Sequence, residues 1–257
     1  MKKARKALLT LCAALLLVSV TAGVTIAYLT DTESVINTFK VGQVDITLDE
    51  TQTDLMGVAN GEGRKPEGNE YQLYPGTTYI KDPIIHVTGS TKDVTYEDSY
   101  VVAKVVVTAD KIADLRALLS YNDTDMIGFK DIVTGGVFDY TDYTVSGNKW
   151  TSANANIDLL QVANESDNTF YVFFKSVQKP NAYDEETGEN GAAIDLELFE
   201  KIVIPEEWNN TEIAKMAGLK MDITAYAMQA TGFENVYDAF KGAFETEYTA
   251  AGNPANE

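Results

Sequence analysis

Apolar and polar residues alternate along most of this chain with the two-residue period of half-buried strands. Phe39 and Val41 share one face, while Val44, Ile46 and Leu48 share the opposite parity. A strand over residues 39–48 therefore needs one extra residue, and the pattern predicts a β-bulge at Gly42-Gln43. Residues 50–70 lose all periodicity and are rich in Gly, Asn and charge, which predicts a loop. Pro75-Gly76 predicts a turn, and residues 84–88 a strand. Residues 101–108 (VVAKVVVT) are β-branched at most positions and predict a central strand buried on both faces.

The period then changes. Ile112, Leu115, Leu118 and Leu119 follow Asp110 at helical spacing, which predicts a short helix over 111–120 with Asp110 as its cap. Residues 157–162 and 169–177 read as a hairpin around residues 164–168. A strand over 199–204 stops at Pro205. Asn209 with Glu212 has the pattern of a capping box, and Gly218 ends that helix. Residues 219–227 alternate through a long strand, and Asn235 caps a last helix with Val236, Phe240, Ala243 and Phe244 on one side. Many short strands, three short helices and no recurring interval predict an all-β sandwich with helical decorations.

Charge changes the picture of its surroundings. Twenty Lys and Arg stand against 39 Asp and Glu, a formal net charge of -19. Such a chain repels phosphate backbones, so nucleic acid is not an expected partner. Four of the twenty cations stand at the start, where Lys2, Lys3, Arg5 and Lys6 precede an apolar run over 7–20. Thr25-Ile26-Ala27 then places small residues where a signal peptidase cuts. Residues 1–27 are expected to be a Sec-type signal peptide cleaved between Ala27 and Tyr28. Residues 28–257 are then one secreted domain, with a flexible segment at 28–38 and a polar tail at 249–257. Cleavage removes Cys12, the one cysteine. The secreted form would then hold together by its core, without disulfides.

Reactive chemistry is scarce. The single histidine, His86, cannot by itself supply a His-Glu-x-x-His zinc site, and it is read as an ordinary strand residue. Gly63 and Gly68 have the glycine spacing of a phosphate-binding loop, but Asn69 stands where Lys is required. No catalytic residue, cofactor site or metal site is assigned. Asp123 and Asp125, Asp139 and Asp142, and Asp184-Glu185-Glu186 with Glu189 leave Ca²⁺ as the one cofactor to consider, although none follows the EF-hand pattern and solvated loop charge is the simpler reading. Tyr96, Tyr100, Tyr140 and Tyr143 could line a sugar-binding face or pack across strands; packing is the commoner use.

Two stretches carry a resemblance. Residues 22–33 (AGVTIAYLTDTE) look like the cleavage junction of proteins handled by a SipW-type signal peptidase. Residues 37–46 (NTFKVGQVDI) resemble the first strand of the TasA/camelysin family. Tyr74-Pro75-Gly76, Lys81-Asp82-Pro83, Val87-Thr88-Gly89-Ser90 and residues 223–230 (ITAYAMQA) are similar to later parts of it. The resemblance implies a TasA-like, jelly-roll-like β-sandwich, export to the extracellular matrix or cell surface, and fibres made by strand donation. The partners it implies are copies of the same chain joined head to tail, a SipW-type signal peptidase during export, and other matrix proteins or polysaccharide. Tyr28, Leu29, Thr30, Asp31, Phe39, Val41, Val44, Ile46 and Leu48 form the candidate donor segment. For residues 39–48 the alternative is a first strand within the chain's own sandwich. Alternatives for the whole protein are a non-polymerising adhesin or glycan-binding sandwich, and a camelysin-like metallopeptidase, which the histidine count disfavours.

Overall fold

β5 (Ser99–Thr108) lies between two long antiparallel neighbours, β10 (Asn168–Gln178) and β13 (Lys220–Gln229). The computed structural model describes residues 43–119, 133–136, 143–146, 149–152, 157–163 and 167–243. β9 (Ile157–Ala163), β8 (Lys149–Ser152) and β7 (Tyr143–Ser146) continue the sheet in the order β13-β5-β10-β9-β8-β7. The β-branched run of β5 is buried on both faces. Val101, Ala103, Val105 and Val107 enter one core cluster, while Tyr100 and Val102 enter another. Cross-strand partners share a face. Ala225, Ala103, Val172 and Leu159 thus form one apolar row across four strands.

That row faces a second sheet, ordered β11-β4-β1-β2. It is built from β1 (Ile46–Thr53), β2 (Ala59–Lys65), β4 (Ile84–Val87) and β11 (Ile194–Glu197). Ile46 and Ile194 stand opposite Val87, and Leu48 and Leu196 opposite Ile85, so six aliphatic side chains point at the larger sheet. A small third sheet, β3 (Thr78–Ile80), β12 (Lys201–Val203) and β6 (Val133–Thr134), closes this core with Tyr79, Ile202 and Val133. α1 (Ile112–Leu118) adds Ile112 and Leu115 to it. On the other face of the large sheet, α3 (Val236–Phe240) covers Tyr100, Val102, Leu160, Tyr171 and Phe173. α2 (Asn210–Ala214) precedes β13. The architecture is the expected all-β sandwich with short helical decorations.

Two local expectations change, and a third lies partly outside the described residues. The loop expected over 50–70 contains the end of β1 and all of β2, which form a hairpin. β2 (ANGEGRK) has no apolar alternation because it is an exposed edge strand held by main-chain pairing. Asp110 does not cap α1: the cap position is Lys111, without a side-chain bond, and the Asp110 N–H donates to the Ala217 carbonyl at 2.9 Å. Of the expected bulge, Gly42 lies outside the described residues, and Gln43 makes an isolated parallel bridge with Tyr96. The caps of α2 and α3 are as expected. The Asn209 side chain accepts from Thr211 N while Glu212 returns a bond to Asn209 N, and Asn235 accepts from Tyr237 N and Asp238 N.

Candidate assembly edge and groove

A sandwich can accept another strand only at an edge whose main-chain groups are unpaired. β2 is a poor edge: Gly61 and Gly63 have φ of 81° and 89°, and its side chains offer little to bury. β11 is four residues long and carries Asp195 and Glu197, and β7 is also four residues long. β13 is ten residues long, and among the described residues it pairs with β5 alone.

Alongside β13 runs a groove. One part, of about 700 Å³, lies between Leu219–Asp222 and the extended stretch 68–73, with Ile213 and Met216 after the α2 cap at its floor. A second part, of about 360 Å³, continues past Ile223 and Thr224 against Leu48 and Glu50 of β1. Gly68, Lys81, Met221 and Asp222 line both parts, so the groove follows the strand. Met221, Ile223, Ala225 and Ala227 are partly buried and pack on the inter-sheet core.

Aromatic residues fix the wall opposite β13. The Tyr79 hydroxyl donates to the Gln72 carbonyl at 2.7 Å and accepts from Tyr74 N at 2.7 Å. Tyr71 packs edge-on against Tyr79 and donates to the Ile80 carbonyl at 2.8 Å. Burial, followed by the charge of Glu50, pushes the Tyr71 hydroxyl well above its ordinary pKa, so it stays a neutral donor. A buried ion pair completes the wall. Lys81 Nζ lies 2.5 Å from Glu50 Oε2, and Glu50 Oε1 accepts from Asn69 N and Nδ2 at 2.7 and 2.8 Å. The residue pattern gives no sign of this pair, because Glu50 and Lys81 are far apart in the chain and neither belongs to an apolar pattern.

The outer face of the smaller sheet carries a second polar group. His86 Nδ1 is 2.6 Å from Asp195 Oδ1, and its Nε2 is 3.1 Å from Asp49 Oδ1. Arg64 then links Asp49 at 2.5 Å to Asp82 at 2.7 Å. Burial lowers the His86 pKa, but the bonds and charges of Asp49 and Asp195 outweigh it and hold it above the ordinary value. Burial raises the Asp49 pKa, and Arg64 with His86 brings it below the ordinary value. The two carboxylates sit at opposite ring nitrogens and do not converge on one point. Among the described residues no group of three or more His, Cys, Asp or Glu is placed to hold a metal ion.

Most of the candidate donor segment lies elsewhere in the chain. Ala27, Tyr28, Leu29, Thr30, Asp31, Phe39 and Val41 are outside the described residues, as are Asp123, Asp125, Asp139 and Asp142 and the tail at 249–257. Val44 precedes β1. Ile46 and Leu48 belong to β1 and pair with β4 of the same chain, packing on its core. The carboxylate of Asp184 accepts from Glu186 N and Thr187 N, which shapes its own loop. Tyr100 is buried beneath α3, which removes it from any sugar-binding face. No described helix is long and apolar enough to cross a membrane.

These features define a class: an antiparallel sandwich in which, among the described residues, the long strand β13 pairs on one side only and has a groove beside it. Residues 2–115 match the model of the family described as camelysin metallo-endopeptidase, a span that reaches from the N-terminus through β5 into α1. The TasA/camelysin resemblance is borne out over that span. No curated protein and no solved structure matches the chain.

Proposed function

We propose that this protein is a secreted structural subunit of extracellular matrix fibres. In this reading residues 1–27 are removed on export. Residues 28–41 of one copy then add a strand to the open β13 edge of the next. The observation that carries the reading is a ten-residue strand that, among the described residues, is paired on one side only, with a groove of mixed apolar and polar lining along it. Strand addition takes affinity from main-chain bonds and specificity from alternate side chains. A head-to-tail contact of this kind does not close on itself, so it propagates as a filament. In an extended segment Val35, Phe39 and Val41 share a face with Asn37 at the end nearer β1, while Asp31 and Glu33 make the earlier part of that face polar. Burying the three apolar residues at about 1.5–3 kcal/mol each gives about 5–9 kcal/mol, against association costs of about 4–15 kcal/mol. The β13 ladder therefore has to contribute substantially.

The matching family is described as a peptidase. The residues of this chain favour a structural role. Its single histidine is held between two aspartates, and a zinc site of the His-Glu-x-x-His kind requires a second histidine. The test is negative-stain electron microscopy of three purified forms: starting at Tyr28, carrying extra residues before Tyr28, and lacking residues 28–41. Fibres are expected only from the first. Fibres from a folded form lacking residues 28–41 would overturn the proposal.

A further inference from the structure

The groove wall contains a charged group whose bonding capacity is only partly used. Lys81 is 7% exposed, and among the described residues its ammonium has a single hydrogen-bond partner, Glu50. An ammonium carries three N–H donors. Glu50 is better served, with Lys81 on one oxygen and two Asn69 donors on the other. Lys81 also sits where the two parts of the groove meet, across from Met221 and Asp222 of β13.

In the open groove, water can meet the remaining Lys81 donors. A docked apolar strand displaces that water, and a buried donor left without an acceptor is unfavourable. The geometry of strand addition supplies the acceptor. A strand laid along β13 directs alternate carbonyls toward β13 and the others away from it, toward the opposite wall. The second row would be an unpaired edge, and Lys81 stands on the wall it faces.

We infer that Lys81, held in place by Glu50, is the register-setting residue of the groove: it accepts only a guest strand that presents a main-chain carbonyl oxygen to Nζ. The guest is residues 28–41 of a second copy, so this inference rests on the strand-donation reading above. Within that reading it assigns a selecting role to a pair that would otherwise only brace the wall. Glu50 is a positioning residue, since it fixes the ammonium and need not touch the guest. A slip by one residue would swing a carbonyl away from Nζ and turn the apolar face of the guest outward. The polar and apolar requirements therefore exclude the same odd-numbered slips, and the placement of Phe39 and Val41 chooses among the even ones.

The test uses a fluorescent synthetic peptide of residues 28–41. It is titrated into purified protein starting at Tyr28, held below the concentration at which that protein assembles. Lys81→Met alone would strand the buried Glu50 charge and could unfold the protein, so the comparison protein is the double variant Glu50→Gln, Lys81→Met. Replacing a buried pair together is often neutral for stability. Circular dichroism and thermal unfolding verify that the double variant is folded.

Peptides in which one amide at a time is replaced by an ester, a weaker acceptor, are then compared on both proteins. The expected result is one ester position that loses roughly ten- to hundredfold in affinity on the parent protein and little on the double variant. Ester losses that are equal on both proteins belong to the β13 ladder. If every loss is of that kind while the parent peptide binds, the Lys81 role is wrong and strand donation stands. If the unmodified peptide does not bind the parent protein at all, both fall.

Discussion

His86 Nδ1 lies 2.6 Å from Asp195 Oδ1, directly across the β4–β11 register, while the other ring nitrogen meets Asp49 of β1. A neutral imidazole has one N–H and one lone pair, so it can donate to only one of these carboxylates. The imidazolium donates to both and ties β11, β4 and β1 together. Asp82, Arg64 and Glu197 are the other charged groups on or beside this face, and the Glu197 pKa is raised by burial, then by Glu200 and Asp82.

The His86 pKa is raised in the folded protein, so the stability it contributes is fully present below the unfolded value of about 6.5 and is lost as pH rises through the folded value. Asp49 has the opposite sign. Its pKa is lowered, so its contribution is present above about 3.9 and is lost as pH falls through the folded value. Urea unfolding midpoints should therefore fall as pH rises above neutrality. The variant His86→Gln should flatten that limb and leave the acid limb in place. An unchanged alkaline limb in His86→Gln would show that other groups control it. With one histidine in the chain, its proton resonance reports the folded pKa without assignment work.

Gly57 tests how tightly the groove wall is held. Its φ is +71°, and a Cβ there would lie 2.6 Å from Tyr79 Cα and Cβ. Tyr79 in turn holds Gln72 and Tyr74. Gly57→Ala should destabilise the protein by about 1–3 kcal/mol or more, because backbone strain and collision act together. Gly61 has a similar φ of +81° but open space around it. Gly61→Ala should show only the backbone part, about 1–2 kcal/mol. Equal midpoints for the two variants in urea would deny that the Gly57–Tyr79 contact is rigid.

The apolar row that joins the sheets predicts a different magnitude. Phe170 is 1% exposed and belongs to the inter-sheet cluster, whereas Phe233 is 40% exposed. Phe170→Ala should cost about 3–5 kcal/mol through lost transfer energy and the cavity left behind. Phe233→Ala should stay within about 0.5 kcal/mol. Chemical denaturation of both variants checks the assignment of inside and outside.

How far this fold could be read from the chain depended on where stabilisation resides. β5 and β13 were legible because their side chains do the packing: residues 101–108 and the alternation from 219 to 227 state one buried arrangement each. β2 was illegible because its pairing is main-chain only, and main-chain bonds leave no residue pattern. Asp110 satisfied the local rule for a cap, yet the contact with Ala217 after α2 places its backbone otherwise, a tertiary preference over a local one. The groove was half legible. Met221 and Ile223 belonged to a recognised strand, but their openness depends on what does not pair with β13, and single sequences carry no mark of an unpaired edge. Glu50 and Lys81 were hidden for a further reason: buried ions break the apolar pattern and look like surface charge until their partner is seen.

The cap of α2 links local sequence to the groove and yields the last prediction. α2 has only five residues, too few to be stable as an isolated helix. Its start is fixed by the Asn209 side chain on Thr211 N at 2.8 Å and by Glu212 Oε2 on Asn209 N at 3.1 Å. It delivers Ile213, and the turn after it Met216, to the groove floor, and Gly218, with φ of +70° against Asp110, leads the chain into β13. Asn209→Ala should therefore cost about 0.5–2 kcal/mol in urea unfolding. Because the lost order is local, most of the sandwich should remain folded while the floor of the groove loosens. Binding of the 28–41 peptide should weaken more than the stability change alone would produce, with the excess appearing as faster dissociation. Asn209→Asp, which keeps an accepting oxygen at the cap, should restore both. If Asn209→Ala lowers the unfolding midpoint but leaves peptide dissociation at the parent rate, the floor is not part of the docking surface, and the guest contacts only β13 and the opposite wall.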